Sequence, residues 1–116
     1  MIIMLPALLL IGAFSTLDDG SYIPGRDTTA FWADGQIEIL RGHDFETRED
    51  KYYLYMEHSS VEDGFVRAYR RTGNPVQVLV ENRLYTIDKS TLTYTVQTLS
   101  EEEIPLLTQG FRWLKP

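Results

Sequence analysis

The sequence contains two histidines, and each lies beside side chains with which an imidazole could do chemistry. His43 lies in a polar stretch, Gly42–Asp50, that also carries four carboxylates. Because hard cations bind several oxygens from one flexible segment, a metal or calcium loop is one interpretation. The spacing lacks the glycine and the final glutamate of a Ca²⁺ loop, and Arg48 and Lys51 supply counter-charges. We therefore expect a solvated acidic loop with no metal site.

The second histidine, His58, directly precedes Ser59 and Ser60. Together with Asp44 or Asp63 these residues supply the three side-chain types of a Ser-His-Asp triad. However, the sequence contains neither a Gly-x-Ser-x-Gly nucleophile motif nor a glycine-rich phosphate-binding motif. We expect His58 to be a surface histidine, and we predict no catalytic residues and no cofactor.

The basic residues cluster at one place in the chain, where Arg67, Arg70 and Arg71 surround Tyr69. If this segment is a strand, Arg67 and Tyr69 share one face, since alternate residues of a strand point to the same side. Such a patch of aromatic ring and guanidinium could bind a carboxylate, a phosphate or an acidic partner segment. The alternative is that these arginines pair with nearby acidic residues.

Tyrosines are frequent, with seven in the chain, and three lie within Lys51–His58. Alternation places Tyr53 and Tyr55 on the face opposite Tyr52, so both faces of this strand carry large amphipathic groups. One face must belong to the core, and the other is either a recognition surface or covered by cross-strand aromatic packing. The candidate binding residues are Tyr53, Tyr55, Arg67, Tyr69 and Arg71.

Composition excludes several classes of protein. The chain has 116 residues, 43% hydrophobic and 24% charged, which is typical of one folded domain. Seventeen acidic and eleven basic residues give a net charge of −6. That sign argues against a nucleic-acid partner, because nucleic-acid affinity comes mostly from cations that neutralise phosphates. The absence of cysteine excludes disulfides and thiol catalysis.

The first fourteen residues, Met1–Phe14, carry no charged side chain. The segment is too short to span a bilayer but has the length of the apolar region of a signal peptide. Ala13 and Ser15 are the small residues of a cleavage site before Thr16. We therefore predict a signal peptide at residues 1–15, a single β domain at residues 16–116, and a periplasmic or secreted protein. The alternative is a cytoplasmic protein that retains the segment as part of its fold.

Period-two alternation dominates from residue 28 onward and predicts an antiparallel meander of about seven short strands. Thr28–Ala33 and Gln36–Arg41 flank Asp34-Gly35, a dipeptide typical of a two-residue type I′ turn. In the stretch Thr91–Leu99, alternation predicts that Leu92, Tyr94 and Val96 face the core. The other predicted strands lie within Lys51–His58, Phe65–Arg71, Val76–Val80, Leu84–Ile87 and Phe111–Leu114.

One short helix is predicted near residues 101–109. Ser100 and Glu103 have the spacing of a capping box, in which each side chain bonds the backbone amide of the other residue. Pro105 limits the helix to one or two turns, and Gly110 supplies a left-handed end.

Three motifs resemble those of small bacterial lipocalin-like domains. Gly12-Ala13-Phe14 resembles their Gly-x-Trp opening strand, with Phe in place of Trp. The stretch Phe31–Gly35 resembles their F-x-x-D-G hairpin, and Leu84–Leu92 resembles a second hairpin of the same family. The resemblance implies that the meander closes into a barrel, and the alternative is a sheet that folds over itself.

From these observations we expect a small, acidic, exported, non-enzymatic binding module. Its partner would be a protein or a small ligand, and an inhibitor or immunity-type protein directed against a cationic hydrolase fits the charge. The alternative is a structural or accessory subunit, in which the uncharged segment Met1–Phe14 docks on a partner chain or a membrane surface.

Overall fold

The computed structural model describes residues 22–62, 64–72 and 74–115. The predicted signal peptide and the Gly12–Phe14 motif lie outside these residues. The described part contains nine strands and one helix. In chain order they are β1 (Thr28–Trp32), β2 (Ile37–Asp44), β3 (Glu49–Met56), β4 (Ser59–Ser60), β5 (Val66–Tyr69), β6 (Val76–Val80), β7 (Arg83–Ile87), β8 (Tyr94–Thr98), α1 (Glu103–Leu107) and β9 (Arg112–Trp113).

The strands form two antiparallel sheets. The four-stranded sheet has the order β1-β2-β3-β4, and the five-stranded sheet has the order β9-β5-β6-β7-β8. Within each sheet, successive strands are neighbours except for β9, which returns to pair with β5. The prediction of a mostly β, antiparallel protein with one short helix is confirmed. No closed barrel is found among the described residues, so the lipocalin-like closure is not confirmed.

One hydrophobic core lies between the two sheets. The four-stranded sheet contributes Ile37, Ile39 and Leu54, which are almost fully buried, together with Trp32. The five-stranded sheet contributes alternate residues of β6 and β7, as period two requires. The predicted common face of the three β6 valines is confirmed, since all are fully buried in this core: Val76, Val78 and Val80.

The helix covers the opposite face of the five-stranded sheet. Ile104 of α1 packs with Leu79 and Leu84 in a second, smaller cluster. The predicted capping box is present, because the Ser100 amide donates to Glu103 Oε1 at 2.8 Å and the Glu103 amide donates to Ser100 Oγ at 3.2 Å. Ser100 lies in the loop after β8 and Glu103 is the first residue of α1, so the two partners are three residues apart and the sequence signal is entirely local.

The β1–β2 hairpin forms as predicted, but its turn differs. The loop has four residues, and Ala33, Asp34 and Gly35 all have positive φ, at 54°, 56° and 85°. The Gly35 amide donates to the carbonyl of Trp32 and the Gln36 amide to the carbonyl of Ala33, so the loop holds two overlapping turns, one centred on Ala33-Asp34 and one on the predicted Asp34-Gly35. Two-residue turns with a positive φ occur instead at Glu57-His58 and Glu81-Asn82. His58 is therefore an exposed turn residue.

The stretch Gly42–Asp50 was predicted to be a loop, and this is wrong. Strand β2 runs to Asp44 and β3 begins at Glu49, so that only residues 45–48 connect them. Polar cross-strand contacts maintain the pairing here, since His43 Nδ1 lies 3.0 Å from Asp50 Oδ1.

The prediction that Tyr94 and Val96 face the core is right about the side of the sheet but wrong about their burial. They are opposite Ile87 and Tyr85, so they lie on the core side of the five-stranded sheet. Tyr94 is nevertheless 46% exposed and Val96 45% exposed, because the smaller sheet does not cover β8. Leu92 is half-buried against the core.

We predict that Gly35→Ala destabilises the protein more than Gly110→Ala. Both glycines have positive φ, a conformation that costs an alanine about 1–2 kcal/mol. A Cβ at Gly35 would also collide with the ring of Tyr22, whereas a Cβ at Gly110 meets no atom within 4 Å. Urea unfolding of both variants measures the difference. Equal losses of unfolding free energy would contradict the packing of Tyr22 over this turn.

Candidate functional site

The candidate binding residues do not form one continuous patch. Arg67 and Tyr69 were predicted to share a face, but a register shift between Val66 and Ala68 interrupts the alternation. Both Val66 and Tyr69 consequently point into the core, and Tyr69 is only 6% exposed. The Tyr69 ring packs edge-on against Trp32, with 5.7 Å between ring centroids. The prediction of a shared face is wrong, and Arg67 is left on the surface by itself.

Arg67 lies against the final strand. Its guanidinium carbon is 5.4 Å from the ring centroid of Trp113, which is 45% exposed. One guanidinium nitrogen donates to the carbonyl of Glu81 at 3.2 Å. No described carboxylate lies within ion-pair distance of this guanidinium. The ring and the carbonyl therefore orient Arg67, while its other N–H groups have no anionic partner among the described residues.

A second cation–ring pair lies beside the first. Lys51 Nζ is 4.8 Å from the ring centroid of Phe65, which is 37% exposed, and also 3.5 Å from Glu49 Oε1. Tyr53 packs edge-on against the same ring, with 5.5 Å between centroids. Tyr53 thus supports Phe65 from the side.

These two pairs line a groove at the junction of the sheets. The groove has a volume of about 360 Å³, and its walls come from β3, β5 with the preceding Phe65, and β9 with Leu114. Tyr52 also lines it, and the Tyr52 hydroxyl donates to the carbonyl of Lys115 at 3.1 Å. The groove is lined by Glu49, Asp50, Lys51, Tyr52, Phe65, Val66, Arg67, Trp113 and Leu114.

Three of the five candidate residues lie away from this groove. Arg71 is exposed and lines a separate, smaller cavity of about 220 Å³ next to β1, together with the buried Tyr69. Tyr55 is half-buried and pairs across the sheet with Glu38 and Ser60. Arg70 holds its own loop in place through hydrogen bonds to Thr72, Asn74 and Gln77. The basic cluster in the sequence is thus divided among three environments.

The acidic segment around His43 is bound by its own backbone and neighbours. Asp44 accepts hydrogen bonds from the amides of Glu46 and Thr47, and the bond from Glu46 lowers the pKa of this carboxyl. Asp50 lies next to His43 and, at 4.0 Å, next to Arg41. In the part of the chain that the structure describes, no group of three or more His, Asp or Glu side chains could hold a metal ion.

Sequence reasoning missed a cluster of Glu62, Arg83 and Tyr85. The Glu62 carboxylate accepts hydrogen bonds from the Arg83 guanidinium and from the Tyr85 hydroxyl. The bond from Arg83 lowers the pKa of Glu62, while burial and the bond to Glu62 raise the pKa of Tyr85 to about 12. Arg83 and Tyr85 show a spacing of two along β7, but Glu62 lies 21 residues before Arg83. No local pattern connects them.

The groove residues Lys51, Phe65 and Trp113 were also missed as site residues. The final strand was predicted, but its pairing with β5 brings Trp113 to Arg67 across 46 positions in the sequence.

Comparisons with protein-family models, with curated proteins and with solved structures found no match to this chain. No helix of the described part is long and apolar enough to cross a membrane.

We predict that stability falls between about pH 10 and pH 12 through Tyr85. The folded protein holds the Tyr85 proton to about pH 12, whereas the unfolded chain releases it near pH 10, so rising pH favours unfolding over this range. The loss approaches about 2–3 kcal/mol. Urea unfolding at a series of pH values measures it, and Tyr85→Phe should remove this part of the pH dependence. An unchanged pH dependence in Tyr85→Phe would contradict the assignment.

Proposed function

We propose that this protein is a non-catalytic binding module whose groove between β3, β5 and β9 holds a segment of a partner protein. The segment carries a carboxylate next to an apolar side chain. The observation that supports this proposal is the placement of Arg67, which stacks on the exposed Trp113 and has no described carboxylate within ion-pair distance. An oriented guanidinium loses little further freedom when it binds an anion.

The aromatic walls support a ligand that is partly apolar. Trp113 and Phe65 are exposed next to Arg67 and Lys51, so an apolar side chain of the ligand packs on a ring while its carboxylate bonds the guanidinium. Tryptophan, tyrosine and arginine are also the residue types that dominate the energy of protein interfaces. These features favour a peptide segment over a free small anion.

The net charge of the chain also favours a partly apolar peptide over a free anion. A chain with net charge −6 repels free anions at long range. A carboxylate therefore binds well only when apolar contacts in the groove add to the local attraction of Arg67, since Lys51 already pairs with Glu49. Because part of the affinity is electrostatic and exposed, added salt weakens it.

The non-catalytic part of the proposal rests on the types of group that face the groove. Arginine and lysine side chains are cations near neutral pH, and phenylalanine and tryptophan side chains carry no titrating group. The two carboxylates that line the groove are already paired, Glu49 with Lys51 and Asp50 with His43. These groups orient and hold a ligand, whereas general acid–base catalysis needs a group that titrates near the working pH.

The export part of the proposal rests on the sequence. The uncharged segment Met1–Phe14 is followed by a small residue at the predicted cleavage position, Ser15. An exported binding module with an acidic surface suits a role as an inhibitor or immunity-type protein.

Selection from a library of short random peptides displayed on phage tests the groove. We predict that the selected peptides contain Asp or Glu next to an apolar residue. The Arg67→Ala variant should bind them about tenfold more weakly, which corresponds to about 1.4 kcal/mol. Binding is measured with synthetic peptides by the change in fluorescence of Trp113.

Arg71→Ala is the matched control. It removes an exposed arginine that lies in a different cavity, so it changes the net charge equally without touching the groove. We expect its affinity for the selected peptides to match that of the unchanged protein. Selected peptides without an acidic residue, or equal weakening by Arg67→Ala and Arg71→Ala, would contradict the proposal.

A further inference from the structure

Strand β8 lies at the edge of the five-stranded sheet, and its outer side pairs with no other described strand. The amide of Asp88 donates to the carbonyl of Thr93, and the amide of Leu99 donates to the carbonyl of Asn82. Because inward and outward amides alternate along an antiparallel edge strand, Thr95 and Gln97 also face β7. The N–H and C=O groups that point outward therefore belong to Tyr94, Val96 and Thr98.

This edge differs from the three other sheet edges in the described part. Strands β4 and β9 have two residues each, and β1 contains a register shift between Thr28 and Ala30. Short length and bulges are devices that prevent unwanted strand pairing. Strand β8 has five residues in regular register, with no proline and no charged residue. It is thus a template for one more strand.

The core-side face of β8 also favours the addition of a strand, because it is apolar and partly exposed. Tyr94 and Val96 are 46% and 45% exposed, and Tyr94 lies 5.3 Å from the buried Tyr85 between ring centroids. Together with their neighbours on β7 they form an apolar strip that extends beyond the smaller sheet. A strand added to β8 would cover this strip with its alternate side chains.

We infer that β8 is a docking edge for an extended segment of a basic partner protein, which adds to the sheet as an antiparallel strand. Two exposed carboxylates lie within four residues after the end of β8, and neither Glu101 nor Glu102 forms an ion pair with a described residue. In antiparallel pairing, the start of the added strand lies at this end of β8. The partner segment therefore carries basic residues first and alternating apolar residues after them.

Charge favours a basic partner segment over two other possible occupants of the β8 edge. A second copy of the chain brings a further net charge of −6, so long-range repulsion opposes edge-to-edge dimers. The segment Met1–Phe14 of this chain has no charged side chain and would leave Glu101 and Glu102 without a counter-charge. A basic segment matches both the strand edge and the carboxylates.

Amide hydrogen exchange of the full chain, followed by NMR, tests this inference with a defined probe. The probe is the peptide acetyl-Lys-Lys-Thr-Val-Thr-Val-Thr-amide, and its analogue begins with two glutamates. We expect the lysine peptide to slow exchange at Tyr94, Val96 and Thr98 by at least about tenfold, because these amides gain hydrogen bonds. The amides of Thr95 and Gln97 should change little, and the glutamate peptide should bind about tenfold more weakly.

Two pairs of variants locate the effect. Val96→Lys places a charge on the apolar strip and should abolish the protection, whereas Thr95→Lys adds the same charge to the opposite face and should retain it. Glu101→Gln combined with Glu102→Gln should reduce the difference in affinity between the lysine peptide and the glutamate peptide to about twofold or less. The double variant Glu46→Gln with Glu57→Gln is its control. Glu103 stays unchanged, because it bonds the Ser100 amide.

Several results would overturn the inference. These are exchange at the three outward amides that the lysine peptide leaves unchanged, equal binding of both peptides, and equal effects of Val96→Lys and Thr95→Lys. Slow exchange of the outward amides in the chain alone would also overturn it. A dependence on protein concentration would then identify a second copy as the occupant, and independence of concentration would identify a segment of this chain.

Discussion

The contact between Trp32 and Tyr69 packs the two sheets together, and the groove and the exposed edge at β8 both depend on this packing. The rings meet edge-on at 5.7 Å within a core to which both sheets contribute. Burial of this apolar surface is the main force that holds one sheet on the other. Because one sheet has five strands and the other four, of which β4 has only two residues, coverage is complete in the centre and incomplete at β8.

The groove and the β8 edge both follow from the way the two sheets meet. The groove lies where β3 of one sheet approaches β5 and β9 of the other, so its walls mix side chains from both. The bulge in β5 turns Tyr69 into the core and leaves Arg67 outside, next to Trp113. The docking edge arises at the opposite side of the five-stranded sheet, where the smaller sheet ends. Core packing thus determines which polar and aromatic groups remain available to a partner.

Features with local causes could be predicted from the sequence. Alternation predicted the buried face of Val76–Val80, and the spacing of Ser100 and Glu103 predicted the capping box. Both features depend only on residues that are close together in the sequence. Features that depend on distant partners could not be predicted. The bulge at Val66 is visible only in the register of β5 against β6, and the exposure of Val96 depends on where the other sheet ends.

The candidate site likewise combines features that have local causes with features that depend on distant partners. Arg67 was identified from its type and neighbours, but its partner Trp113 comes from the last strand, and no periodic pattern specifies that β9 returns to β5. The polar stretch around His43 was misjudged because composition favoured a loop, while cross-strand pairs such as His43 with Asp50 extended the hairpin. Polarity indicates contact with solvent, which is compatible with a paired strand.

A nuclear Overhauser experiment on the isotope-labelled protein tests the arrangement of the two sheets most directly. We expect strong cross-peaks between the ring protons of Trp32 and Tyr69, and no interstrand backbone cross-peaks between β8 and any strand of the four-stranded sheet. Absence of the Trp32–Tyr69 cross-peaks would contradict the shared core. A continuous ladder of backbone cross-peaks from β8 into the four-stranded sheet would contradict the open edge and indicate a closed barrel.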